Sequence, residues 1–204
     1  MQKKLFGISL NRILLILIGL IILAVIATSL RKNIHVVIPN QVYRSAQLSS
    51  SSLSLLVKSN KIHSIINLRG KNPQFKWYRQ EIKTSKLLGV QHYDIALSAE
   101  KLPSKAQIQR LVFLIQHASR PILFHCESGA DRTGLASAMA LTIIKNEPIS
   151  TAKQAFSWRY FVTSHNSVGK VVFRRYQSWL QNTAKKANRS NFLLWINNAY
   201  PNKH

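Results

Sequence analysis

The chain has 204 residues, enough for one globular domain with a sizeable core plus an appendage. Its 29 Lys and Arg against 6 Asp and Glu give +23 at pH 7, a balance that attracts anionic partners. Cys126 is the single cysteine, so no internal disulfide can form and cysteine usage is silent about the redox compartment.

The elements follow in chain order. Residues 13–30, "ILLILIGLIILAVIATSL", form an uncharged apolar run of 18. At about 1.5 Å per residue it approaches the ~30 Å hydrocarbon layer, so the expectation is an uncleaved transmembrane anchor. A signal peptide would carry a shorter apolar stretch, about 7–15 residues. Lys3, Lys4 and Arg12 precede the run, and Arg31 and Lys32 follow it. That slight bias predicts a single-pass protein with its N-terminus inside, which in a bacterium places the domain on the periplasmic side of the inner membrane. The organisation expected is a basic tail over 1–12, the anchor over 13–30 and a domain over 31–204, with its core at about 36–180 and a helical C-terminal extension. All but three of the basic residues lie beyond residue 12. For a tethered domain, this points to an anionic membrane surface rather than nucleic acid.

Within the domain, 40–49 suggests a short strand and turn, 52–60 a helix, and 62–70 a strand ending at Gly70. A basic, aromatic loop over 71–80 runs into a helix over 78–88, stopped by Gly89. Residues 90–97 read as a strand. Residues 103–118 make an amphipathic helix capped by Ser104, with Ile108, Leu111, Val112 and Ile115 on one face. A buried strand over 121–125 and a helix over 132–145 follow, then helices over 150–158, 167–181 and 192–199. Strands alternating with helices predict an α/β fold: a central, mostly parallel sheet flanked by helices and preceded by the N-terminal membrane helix.

The chemistry gathers in "HCESGADRTG", residues 125–134, a turn between a strand and a helix start. A helix start presents unpaired N–H groups and about half a positive charge, and a tight turn adds further amides. Glu127, Ser128, Gly129 and Ala130 would supply that cradle. Gly129 lets the backbone fold closely, and Gly134 lets the helix pack tightly. The planar fork of Arg132 can grip two phosphate oxygens. Cys126 at the base feels the same field, which favours the thiolate; a free cysteine near ~8.5 falls to roughly 3.5–7.5 in such surroundings. The pattern is a nucleophile facing a bound phosphate.

This stretch resembles the His-Cys-x5-Arg-Ser/Thr-Gly signature of the cysteine-based protein tyrosine and dual-specificity phosphatases. "VYRSAQLS" and "IINLRG" upstream are similar to the bacterial dual-specificity-like branch. The resemblance covers roughly residues 36–180 and implies a tyrosine-phosphatase-like fold. It implies that Cys126 forms a phosphocysteine, that Arg132 binds phosphate and steadies the transferring group, and that the Thr133 hydroxyl assists thiolate departure. His125 would orient the loop or serve as an ordinary core residue. No cofactor is implied, and no histidine–carboxylate spacing suggests a metal.

The proton for the leaving oxygen is less plainly assigned. The family usually takes it from an aspartate about thirty residues before the cysteine. Asp94 falls near that place but inside an expected strand, with Glu100 six residues further on. Asp131, just before the loop arginine, resembles the acid of myotubularin-like and certain bacterial secreted relatives. The three alternatives stand open. Arg69, with Lys71, Lys76 and Arg79 and the rings of Phe75, Trp77 and Tyr78, forms a basic, aromatic cluster suited to a membrane interface or a phosphorylated lipid. The loop itself holds Glu127 and no lysine, which argues against a highly phosphorylated inositol head. Arg44 reads as a structural brace. The expected substrate is therefore a phosphoprotein or a phospholipid; the alternative is an inactive phosphate-binding module.

Overall fold

The computed structural model describes residues 10–201. Five strands form one sheet in the order β1 (His35–Ile38), β2 (Val42–Ser45), β5 (Ile122–His125), β3 (Ser64–Asn67), β4 (Gln91–Asp94). β1 runs antiparallel to β2, and the other three pairings are parallel. The sheet is mixed and mostly parallel, as expected for an α/β fold.

The strands bury both faces in alternation, as the period of two requires. Val42, Ile66, Ile122 and Phe124 enter one core, and Tyr43, Ile65 and Leu123 the other. Helices α2 (Ser50–Asn60) and α3 (Lys76–Leu87) lie on the second side. On the first lie α4 (Lys105–His117), α5 (Asp131–Lys145), α7 (Val168–Asn182) and α8 (Arg189–Leu194), with the short α6 (Ile149–Lys153) beside α5. The Ser104 cap is present as a full capping box with Gln107, which is why α4 begins where its sequence says.

Several elements differ from the expectation. β1 (His35–Ile38) precedes the first strand expected, which starts at residue 40. The helix expected over 150–158 stops at Lys153 and passes into two 3-10 turns, because Ser157 is extended and Phe161 takes a left-handed φ of 61°. The C-terminal segment is part of the core rather than an extension outside it. Phe192, Trp195, Ile196 and Tyr200 are buried, and the Tyr200 hydroxyl donates to Pro103 O at 2.9 Å.

The transmembrane anchor over 13–30 is overturned. Among the described residues no helix is long and apolar enough to cross a membrane. α1 runs Leu10–Lys32. The membrane span expected over 13–30 is therefore not borne out. The single-pass inner-membrane placement with a periplasmic domain falls with it. Most of the basic tail over 1–12 lies outside the described residues.

What the fold does for function is visible in the strand register. Ser45, His125, Asn67 and Asp94 are in register at the carboxyl ends of β2, β5, β3 and β4. Ligands of parallel α/β sheets bind outside those ends.

Candidate active site

β5 delivers His125, and the chain then turns through residues 126–130 into α5. Cys126 is 1% exposed at the base of this turn, while Glu127 and Ser128 face solvent. Gly129 takes φ +70°, and a Cβ there would sit 2.7 Å from Ser45 C and Ala46 N. The loop therefore presses on the end of β2 at a distance only glycine permits. Gly134 is nearly as tight: its Cβ would meet Ala155 O at 3.0 Å. The first helical bond runs from Gly134 N–H to Ala130 O. The amides ahead of it have no intrahelical partner and are available to an anion.

Arg132 lies one residue into α5, half-buried, with Nη1 donating to Leu97 O at 3.5 Å. Its Nη2 is 4.0 Å from Glu127 Oε2, and Arg69 Nη2 reaches the same oxygen at 3.8 Å. Glu127 thus bridges two arginines at the mouth of the loop. The Arg69 guanidinium stacks on Trp77 at 3.8 Å and donates to Gln47 Oε1. The basic, aromatic cluster is real where Arg69, Trp77 and Phe75 stack beside the loop. Arg79 is turned instead toward the carbonyls of Pro73 and Gln74.

The three candidate acids sit in different settings. Asp94 ends β4, two strands from His125, about 10 Å across the sheet at ~4.8 Å per strand. Both its oxygens are engaged: Oδ1 accepts from Asn67 Nδ2 at 2.8 Å and Oδ2 from the Tyr78 hydroxyl at 2.6 Å. Burial and this bond to Asp94 raise the Tyr78 phenol above its usual range. Glu100 lies on an exposed turn beyond Leu97, its N–H donating to Ser98 Oγ. Asp131 is the first residue of α5, half-exposed, and among the described residues its carboxylate has no hydrogen bond or ion pair.

One part of the site was not read from the sequence. Glu81, buried on α3, has Oε1 2.8 Å from His92 Nε2 and 3.0 Å from His125 Nε2. Its Oε2 accepts from Gln47. The histidine before Cys126 is therefore held by a carboxylate from α3. Burial alone would raise the Glu81 carboxyl, but His125 and His92 outweigh it and hold it well below its ordinary 4.5. The donor atoms of Glu81, His92 and His125 lie within 4.8 Å of one another, a set zinc accepts. Residues 81, 92 and 125 have no recognisable ligand spacing in the sequence, so no metal is expected from it. The available signal was scarcity: Glu81 is one of six acids in the whole chain.

A thiol under open amides, with an arginine six residues on, is the arrangement of a cysteine-dependent phosphatase. The family model described as "DSP-PTPase phosphatase fused to NAD+ Kinase" matches residues 24–175, and the chain belongs to that family of dual-specificity-type phosphatases. The inositol diphosphatase SIW14 of Saccharomyces cerevisiae is 30% identical over 105 residues, 49% of this chain and 35% of that protein. The match thus spans about a third of that curated relative's length. Among solved structures, the S. cerevisiae SIW14 catalytic core in complex with citrate aligns with a TM-score of 0.56 at 18% identity, covering 74% of this chain and 93% of that one. A cysteine-to-serine variant of P. aeruginosa TpbA in complex with phosphotyrosine gives 0.58 at 18% identity, covering 83% and 93%. PTPMT1 gives 0.54 at 18%, covering 74% and 98%. These likenesses show a shared fold.

Glu81→Gln keeps the shape and loses the charge. A hydrogen bond to a charged group contributes roughly 1.5–3 kcal/mol. The folded carboxyl is depressed, so its contribution is full above its ordinary value and lost as pH falls. Urea unfolding at pH 7 is expected to show the variant less stable by that amount, with the gap narrowing below about pH 4.5. A gap that grows below about pH 4.5 would contradict the assignment.

Proposed function

We propose that the chain hydrolyses phosphate esters or anhydrides through a phosphocysteine on Cys126. The observation that carries this is the distribution of buried polar atoms without a partner. Among the described residues, these are Arg132 Nε and Thr133 Oγ1 in the first turn of α5, Asn33 Oδ1, Arg44 Nε, Ser45 Oγ and His125 Nδ1 around the loop, and, elsewhere, Ser167 Oγ. Such atoms each cost about 1–3 kcal/mol and are rare in folded proteins, so the unpartnered donors Arg132 Nε and Thr133 Oγ1 just beyond the loop support an oxyanion site there.

In this reading, phosphate lies on the amides of Ser128, Gly129, Ala130 and Asp131 and on the Arg132 fork. The Cys126 thiolate attacks phosphorus, forming S–P as the P–O bond to the leaving group breaks. Asp131 gives that oxygen its proton, being the acid not already engaged by a partner. Water then attacks phosphorus and releases inorganic phosphate, with the Thr133 hydroxyl assisting the departing thiolate. Asp94, with both oxygens occupied, serves the end of β4 instead.

The substrate class we infer carries a second anionic group, such as a phospholipid head group or an inositol diphosphate of the kind named for the yeast relative. Arg69 supports this, because it meets anions from outside a loop that has no lysine. Glu127, bridging Arg69 and Arg132, is 71% exposed. An exposed pair contributes under about 1 kcal/mol, so an entering anion displaces it at little cost. A phosphotyrosine substrate is the second reading. The exposed ring of Phe75 beside Trp77 favours it, as does the phosphotyrosine complex of the TpbA variant.

Steady-state assays on inositol diphosphate, a phosphoinositide and a phosphotyrosine peptide separate these readings. Cys126→Ser is expected to abolish every activity. Arg69→Ala is expected to cut kcat/KM about tenfold or more on the doubly anionic substrates and far less on the aryl phosphate. An equal loss on all three would remove Arg69 from substrate selection.

Asp131→Asn is expected to lower kcat about 10²–10⁴-fold on alkyl phosphates, whose leaving oxygens need a proton. On an activated aryl phosphate the loss should be slight. The reverse pattern in Asp94→Asn would move the acid to Asp94.

A further inference from the structure

Four successive carbonyls of the loop are pinned from behind. Gln47 N–H donates to Glu127 O at 3.0 Å, and Asn33 Nδ2 to Ser128 O at 3.0 Å. Arg44 Nη2 donates to Gly129 O at 2.8 Å and, more weakly, to Ala130 O at 3.4 Å. Ala130 O also accepts the first helical bond of α5. A trans peptide is planar, with its C=O and the following N–H on opposite sides. Each pinned carbonyl therefore turns the next amide the other way. The N–H groups of Ser128, Gly129, Ala130 and Asp131 are directed together, away from Asn33 and Arg44.

We propose that Arg44 and Asn33, both outside the ten-residue signature, are positioning residues of the phosphate cradle. They fix the direction of its amides, and this rests on reading the loop as the oxyanion site. Arg44 is 1% exposed and, among the described residues, forms no ion pair with a carboxylate. Its charge is spread instead over Gly129 O, Ala130 O, Ala155 O and the Tyr160 ring, whose centroid lies 3.9 Å from the guanidinium carbon. Burial pulls its pKa down to about 10, against the opposing influence of Tyr160 and Cys126. A brace needs no charge there, since an apolar side chain of similar volume fills a core at lower cost. What a guanidinium adds is several donors in one plane, which are the groups that two adjacent carbonyls and a third from Ala155 require.

Asn33 works from the other side. It is 2% exposed, with a left-handed φ of 46°. Its Nδ2 also donates to Tyr160 O at 3.2 Å. Tyr160 is thus held by Asn33 through its backbone and stacks under Arg44 through its ring. Asn33 directly follows α1, and Lys32 O accepts from Ala46 N–H at 2.8 Å. The end of α1, the end of β2 and the loop form one hydrogen-bonded unit.

The test uses the full chain carrying Cys126→Ser, with inorganic phosphate as the probe and calorimetry as the readout. Asn33→Asp keeps the side-chain shape but replaces the donor to Ser128 O with an acceptor. Arg44→Gln keeps polarity and loses the fork, and Arg44→Lys restores the charge alone. Phosphate Kd is expected to rise about tenfold or more in Asn33→Asp and further in Arg44→Gln, with Arg44→Lys recovering only part. With Cys126 restored, KM for an aryl phosphate should rise in step. A merely structural role would lower Tm and leave the phosphate Kd of the folded variant unchanged, and that result overturns the proposal. Should Arg44→Gln fail to fold, the near-isosteric Asn33→Asp decides. If the Cys126→Ser parent itself binds no phosphate, the phosphatase reading fails and this inference with it. If the parent binds and Asn33→Asp binds equally well, this inference alone fails.

Discussion

The structure depends on the direction in which one short turn faces its peptides. Residues 127–130 could satisfy their carbonyls in many ways. Packed against the end of β2, they have one: carbonyls inward to Gln47, Asn33 and Arg44, amides outward. The glycine at 129 is needed because the contact with Ser45 and Ala46 leaves no room for a Cβ. Cys126 is buried for the same reason, since a loop drawn tightly onto the sheet closes over its base.

The placement of the acids follows from that turn. A chain with 29 basic residues and six acidic ones has little negative charge to distribute. Four of the six, Glu81, Asp94, Glu127 and Asp131, lie in or around the site. Each meets a different need. Glu81 orients His125 from below. Asp94 fastens the end of β4 to Asn67 and Tyr78. Glu127 bridges Arg69 and Arg132 at the mouth, and Asp131 stands at the start of α5. Glu127 is exposed, Asp94 and Asp131 are partly buried, and Glu81 is buried.

Much of this was legible in the sequence. The strand, tight turn and helix around Cys126 were plain, because a short apolar run, a glycine and an alanine-rich helix have local causes. The α4 capping box was equally local. The long-range parts were not. Nothing in the spacing of Glu81, His92 and His125 says they meet; α3 and the parallel pairing of β3 with β4 and β5 bring them together. Arg44 read as a brace because its partners are backbone atoms more than eighty residues away. The apolar run over 13–30 carried a hydropathy signal, and the structure does not bear out the membrane span expected from it. β1 was lost because its four residues are too short to show a period.

Backbone nuclear magnetic resonance of the Cys126→Ser protein, titrated with inorganic phosphate, tests the central claim most directly, because it reads each loop amide separately. The account predicts that the amide signals of Ser128, Gly129, Ala130 and Asp131 move furthest and saturate together, with the Arg132 side chain following the same curve. Phosphate that shifts signals only at the surface lysines, or that leaves those four amides in place, would contradict it.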